Sequence, residues 1–250
     1  MIRVCIAGVT GWTGSAVAGA VEAADGLELV AGVARSDPAH HSSVAEALDA
    51  GPVDVLVDYT HAEAVKANVL AAVGRGVGAV VGSSGLSAAD YDEIDALARE
   101  REVGVAAAGN FSLSAALVLR FATEAARLME TWEVIDYASF GKPDAPSGTA
   151  RELAERLDTV RPPAVAVPVG ETLGAPEARG ATIGSTQVHS LRLPSFVVST
   201  EVVFAAPGER LTLRHDAGDS AAPYVAGTLL AIRAVPGLVG VTRGLDRLLD

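Results

Sequence analysis

Residues 2–15 read IRVCIAGVTGWTGS. A run of β-branched and small apolar residues, broken only by Arg3, enters a loop with glycines at 8, 11 and 14 and leaves it in an alanine- and valine-rich stretch with the composition of a helix over 14–24. A strand apolar on both faces belongs in a sheet covered on both sides. Glycine at its exit allows a tight turn and lets an anion approach backbone N–H groups at the positive end of the following helix. The spacing G-x-x-G-x-x-G is a variant of the dinucleotide fingerprint, although an ordinary strand-to-helix turn takes the same form. Its place at the first strand–helix junction favours the dinucleotide reading. Gly8, Gly11 and Gly14, with Thr10, Trp12 and Thr13 between them, are the candidate cofactor-binding residues.

Outward from this loop the rhythm repeats. LELVAGV, VDVLVDY, GAVVGSS and VGVAAAG alternate with helical stretches at 42–49, 62–75 and 87–101, which is the pattern of a doubly wound α/β unit with a parallel sheet. After Asn110 the pattern changes to a helix over 113–130, the strand EVIDYAS, a turn, a helix near 147–157 and a Pro/Gly-rich passage from 160. TQVHSLRL, FVVSTEVVFA and ERLTLRHD then alternate as antiparallel strands with one solvated or partner-covered face, and 223–233 is helical again. The expected organisation is a Rossmann-like domain formed by 1–111 and 218–250, and a second, α+β domain at 112–217.

A chain of 250 residues accommodates two such domains, and 50% hydrophobic with 20% charged residues is a globular composition. The net charge of -12 excludes an extended basic surface for nucleic acid and leaves room for a local phosphate pocket. Cys5 is the only cysteine and lies in an apolar strand, so neither an intrachain disulfide nor a zinc-type cluster is expected, and no metal site is assigned. The N-terminus lacks a signal-peptide design and no run approaches the roughly 18 apolar residues of a membrane helix, so the cytoplasm is the expected compartment.

The second strand ends in LVAGVARSDP. Arg35 and Ser36 there suit the 2′-phosphate of NADPH; a solvated loop arginine is the alternative, and Asp37 keeps NADH open as the cofactor. Farther on, 139–150 read SFGKPDAPSGTA. Only two of the 19 basic residues are lysine, at 66 and 142, so Lys142 is either a chance survivor or kept for its compact, titratable ammonium. Ser147, Gly148 and Thr149 open a helix and present N–H groups, hydroxyls and a helix dipole to an anion; a plain helix cap would look the same.

Taken in order, GVTGWTG, VDYTHAEAV, VVGSSGL, AGNFSLSA, KPDAPSGTA, VHSLRL, EVVF and LTLRHD resemble the dihydrodipicolinate reductase family over nearly the whole chain, with KPDAPSGT the most specific element. The resemblance implies a Rossmann-like cofactor domain and a substrate domain whose open mixed sheet builds a homotetramer or homodimer. It also implies that Asp58, Tyr59 and Thr60 flank the adenosine and diphosphate, that Gly82, Ser83, Ser84 and Gly85 approach the nicotinamide, and that Asn110, Phe111 and Ser112 close the cofactor mouth. Ser147, Gly148 and Thr149 match the family's turn for a substrate carboxylate, with Lys142 as the catalytic residue.

The chain departs from the family where the resemblance implies two adjacent histidines, the first of them a proton donor. The corresponding run is Asp136, Tyr137, Ala138, Ser139, Phe140, Gly141 and Lys142. Alanine has no proton to give and serine is a poor acid near neutral pH. Trp12 replaces a frequently basic residue, which leaves more of the phosphate recognition to Arg35. The other histidines read as surface or structural, at 61 in the DYTH stretch, at 40 and 41 in a loop, and at 189 and 215 in strands of the second domain. Loss of the imidazoles would open volume beside Ala138 and Ser139, with Tyr137 and Phe140 as new apolar or stacking surface and Asp136 either meeting a cationic substrate tail or pairing with an arginine. The leading expectation is therefore an NADPH-preferring reductase of an amino-acid-derived imino acid, which as an iminium accepts hydride without a dedicated acid. The alternatives are the ordinary 4-hydroxy-tetrahydrodipicolinate reductase of lysine biosynthesis and a non-catalytic NADPH-binding sensor.

Overall fold

A computed structural model describes residues 1–194, 196 and 198–249. In chain order the elements are β1 (Ile2–Ala7), α1 (Trp12–Ala23), β2 (Leu27–Val33), α2 (Val44–Ala50), β3 (Val55–Asp58), α3 (Ala62–Gly74), β4 (Gly78–Val81), α4 (Ala88–Glu100) and β5 (Gly104–Ala107). There follow α5 (Leu113–Leu128), β6 (Thr131–Ser139), α6 (Gly148–Asp158), β7 (Ala181–Ile183), β8 (Thr186–Leu193), β9 (Val198–Ala206) and β10 (Glu209–Asp216), and then α7 (Ala222–Ala234) and β11 (Gly240–Arg243). Two compact units result: Met1–Leu113 with Ala221–Asp250, and Ser114–Ser220.

The first unit is a Rossmann-like α/β fold. Its six strands lie in the order β11-β5-β4-β3-β1-β2, and every pairing is parallel. All four residues of β3, β4 and β5 are buried, the outcome for strands without a polar face. The chain moves outward in opposite directions from β1, so the carboxyl ends of β1 and β3 form the switch point at which open α/β sheets hold ligands. Ser87 and Asp90 close a capping box at α4, and Ser43 caps α2, while α1 has no side-chain cap.

The second unit carries a five-stranded mixed sheet, β10-β9-β6-β8-β7. One face packs on α5 and α6, where Trp132, Val134, Val202 and Phe204 meet Leu119, Ala122, Leu153 and Leu157. Along β6 burial alternates strictly, with Trp132, Val134, Asp136 and Ala138 inside and Glu133, Ile135 and Tyr137 half-buried on the open face. A cavity of 570 Å³ lies over that open face, walled by residues 163–167.

Two sequence expectations change. β8 pairs parallel with β6 rather than antiparallel, because α6 and the 159–180 passage form a crossover that returns the chain in the same direction. The strand expected from 196 begins at Val198; Val197 lies outside the described residues. β7 and β11 have no counterpart in the sequence reading, being only three and four residues long.

Candidate active site

In the first unit the glycine loop owes its shape to two close approaches. Gly8 has φ +82°, and a Cβ there would stand 2.4 Å from the Tyr59 carbonyl oxygen; at Gly14 a Cβ would stand 2.0 Å from the Gly8 carbonyl oxygen. The Gly11 N–H donates to Gly8 O at 2.9 Å, and Gly11 occupies the N-cap position of α1 without a side chain to satisfy the first-turn donors. No acid lies in that turn, so the N–H groups of Trp12, Thr13 and Gly14 remain as anion donors. Thr10, Gly11 and Trp12 are exposed, and the rings of Trp12 and Tyr224 meet edge-to-face with centroids 5.9 Å apart. Uncapped N–H groups around a glycine cradle are the donor set a dinucleotide diphosphate requires, so the residues present fit that group.

Buried polar groups fix the neighbouring loops. Asp58, fully buried, accepts from the Thr60 N–H (3.0 Å) and hydroxyl (2.7 Å), from Asn68 Nδ2 (2.8 Å) and from the Ser83 hydroxyl (2.6 Å). The Tyr59 hydroxyl meets Thr228 Oγ1 at 2.6 Å, its ring meets Phe111 edge-on, and burial pushes its phenol well above the ordinary range. Gly82 lies under that ring, where a Cβ would come within 2.2 Å of Tyr59 Cε1. The Asn110 side-chain oxygen accepts from the Ser112 N–H at 2.8 Å, and Phe111 and Ser112 are buried. Asp58, Tyr59, Phe111 and Ser112 shape these loops from within, while Ser84 and Gly85 stay exposed and Thr60 half-exposed.

At the end of β2, Arg35 and Ser36 are exposed. Asp37 turns its carboxylate to its own loop, accepting from the Ala39 N–H at 3.0 Å with His40 Nε2 at 3.7 Å. Arg35 Nη2 lies 2.5 Å from Nε2 of His61, the N-cap residue of α3. From sequence alone His61 is a surface or structural histidine, since nothing local to DYTH shows that β2 and β3 bring the two loops together.

In the second unit the turn at Ser147 is built on Asp136. Its Oδ2 accepts from the Ser147 N–H (2.9 Å), the Ser190 hydroxyl (3.0 Å) and Arg192 Nη2 (2.9 Å). Arg192 Nη2 also donates to the Asp144 carbonyl at 2.6 Å, which ties β8 to the loop carrying Lys142. Burial pushes the Asp136 carboxyl up, but the Ser147 hydroxyl and N–H and the Arg192 guanidinium outweigh it and hold the group below the usual carboxylate range. The Ser147 hydroxyl accepts from the Ala150 N–H and caps α6, while Gly148 and Thr149 are half-exposed at the helix start. Lys142 Nζ lies 2.7 Å from Asp144 Oδ1 with its side chain 28% exposed.

Of the two readings of Asp136 the structure agrees with pairing to an arginine, since the residue is fully buried against Arg192, and two other expectations for this region change. Tyr137 points to the opposite sheet face from Asp136 and Ala138, as strand alternation demands. There its hydroxyl donates to Glu201 at 3.2 Å, Arg214 lies over its ring at 4.7 Å, and Phe196 packs beside it. Ala138 is fully buried, so its methyl closes space rather than opening it, and Ser139 is exposed at the strand end.

Among the histidines, His189 pairs with Glu133 at 2.7 Å on the open face. His215 shares the helix-facing side with Asp136, in the register row His215–Thr200–Asp136–Ser190, two strand spacings or roughly 10 Å away. Burial pushes its imidazole below the ordinary value against the pull of Asp216. Arg192 and Ser190 are functional candidates that sequence reasoning missed, because only the parallel register of β8 beside β6 brings them to Asp136.

The first unit's fold, glycine cradle and uncapped α1 define a dinucleotide-binding unit of the Rossmann type. Comparison with known proteins carries this further. The N-terminal family model, described as dihydrodipicolinate reductase, N-terminus, matches residues 2–111, and the C-terminal model of the same reductase matches 114–245. The chain belongs to the dihydrodipicolinate reductase family and is an NAD(P)H-dependent reductase. It is 40% identical over 255 residues to a 4-hydroxy-tetrahydrodipicolinate reductase of Nocardia farcinica, covering 100% of this chain and 99% of that one. A Beutenbergia cavernae protein of the same name is 40% identical over 252 residues, with 100% and 99% coverage. Among solved structures, a dipicolinate-bound dihydrodipicolinate reductase from a Paenisporosarcina species superposes with a TM-score of 0.83 at 27% identity over 100% of both chains. GenD2 of gentamicin A biosynthesis, in complex with NAD, shares the fold at 16% identity and a TM-score of 0.68.

Proposed function

We propose that the protein reduces 4-hydroxy-tetrahydrodipicolinate, the substrate in the names of its 40%-identical relatives, with NADPH preferred over NADH. The observation that carries this reading is the short loop in which Lys142 and the residues 147–149 are held together by Asp136 and Arg192, an ammonium and helix-start donors of the kind a small dicarboxylate needs. A bound dihydronicotinamide would supply the hydride. Lys142 leaves its exposed partner Asp144, an exchange costing under about 1 kcal/mol, to hold the substrate and deliver a proton. Gly148 and Thr149 hold a carboxylate. The sheet's open face, with Ile135 and Tyr137, is where copies of the chain assemble as a dimer or tetramer, and the compartment is the cytoplasm.

A second reading is favoured by Ala138 and Ser139, which stand where the family resemblance implies imidazoles. It makes the protein a diverged imine reductase whose imino-acid substrate arrives already protonated. Reduction of the freshly made cyclic intermediate by the purified protein, followed as loss of NADPH absorbance, separates the two readings. Turnover there supports the first, and turnover only of other imino acids supports the second. Cofactor binding with silence across the panel leaves a non-catalytic NADPH-binding protein. Lys142→Ala is expected to lower turnover at least about 100-fold with NADPH affinity retained, and equal rates for variant and parent remove that residue from the mechanism.

A further inference from the structure

We propose that His61 is a specificity-determining residue of the cofactor site, sharing recognition of a 2′-phosphate with Arg35 and linking NADPH binding to uptake of a proton. The inference rests on reading the first unit as an NAD(P)H site and adds a residue and a pH dependence to it. Arg35 lies just beyond β2 and His61 at the start of α3, 26 residues apart, and the fold brings their Nη2 and Nε2 atoms to 2.5 Å on the surface. A guanidinium has hydrogens to give and no lone pair to offer. At that contact Nε2 must therefore be the acceptor, with the ring neutral and its hydrogen on Nδ1. The ring makes no cap to α3, so it is not committed elsewhere on its own helix.

The charges around it, Glu63 apart, are engaged with other partners. On α3, Lys66 pairs with Asp90 and Glu93 of α4, and Glu63 is exposed in the first turn. On the β2 loop Asp37 is turned to Ala39 and His40, and His41 lies 3.6 Å from Glu46. Asp58, three residues before His61, is closed in by Thr60, Asn68 and Ser83. Arg35 is the charged group that faces the imidazole.

A 2′-phosphate placed at Arg35 draws the guanidinium away, because a charge-assisted bond to a phosphate oxygen outcompetes one to a neutral ring nitrogen. The freed Nε2 takes a proton from solvent and becomes a second donor beside the anion. NADH, with a 2′-hydroxyl, offers no such exchange. Selectivity for NADPH should therefore fall as pH rises from 6.5 to 8.

The test measures Kd for NADPH and NADH by nucleotide fluorescence at pH 6.5 and 8.0, with the full chain, His61→Gln and Arg35→Ala. Alongside it, NMR titration of the His61 ring is followed with NADP+ and with NAD+. His61→Gln is expected to weaken NADPH about tenfold at pH 6.5, the size of one hydrogen bond to a charged group, to leave NADH within about twofold, and to flatten the pH dependence. NADP+, and not NAD+, should move the ring titration to higher pH. An unchanged NADPH/NADH ratio in His61→Gln, equal weakening of both nucleotides, or a ring titration indifferent to NADP+ would overturn the proposal and leave the cofactor site standing. Binding of neither nucleotide by the parent chain would overturn both.

Discussion

Asp136 shows how one buried carboxylate organises the loop and strand around it. Three donors from two segments, the start of α6 and β8, converge on Oδ2, and one of them, Arg192, also holds the Lys142 loop. Removing one partner of a buried ion pair leaves the other charge uncompensated, so Asp136→Ala should lower stability by about 3–5 kcal/mol, read from urea midpoints at pH 7. The folded carboxyl lies below the ordinary aspartate value, so its contribution is fully present above about pH 4 and is lost as pH falls through the lowered folded value. The gap between parent and variant should accordingly stay constant from pH 8 to 5 and narrow below about 4. A gap that widens in acid would show that the charged form is not the stabilising one.

At the scale of elements, α1 separates glycines that build the site from one that does not. Gly14 lies against the Gly8 carbonyl, and any side chain there forces the loop apart. Gly14→Ala should weaken NADH and NADPH binding together, by about tenfold or more, and lower the thermal midpoint. Gly19 sits on the exposed side of the same helix with nothing within 4 Å of an added Cβ. Gly19→Ala should raise stability by about 0.5–1 kcal/mol with nucleotide affinity unchanged. The reverse ranking in a calorimetric and fluorescence comparison would mean that the loop is not held by these close approaches.

For the whole molecule, the second sheet has one face packed on α5 and α6 and the other half-buried, with Glu133, Arg179 and His189 around a cavity floored by Ile135 and Val203. Assembly through that face predicts a sedimenting species of two or four chain masses. Ile135→Asp should shift it toward the monomer while far-ultraviolet circular dichroism is retained. A parent chain that sediments as a monomer would remove the open face as an assembly surface.

The α/β class and the Rossmann-like parallel sheet were legible in residues 2–15 and the strands that follow, because burial on both faces and glycine turns are local demands. The family was legible in KPDAPSGT for the same reason, as contiguous residues make one turn. Tertiary structure alone decided what the polar side chains face. Tyr137 and Ala138 are neighbours in sequence, yet the strand sends them to opposite faces; Asp136 found Arg192 from 56 residues away through a parallel register, and His61 found Arg35 across two loops. Periodicity records which face a residue takes, whereas pairing between distant strands, set by how the chain crosses over, decides which side chains meet.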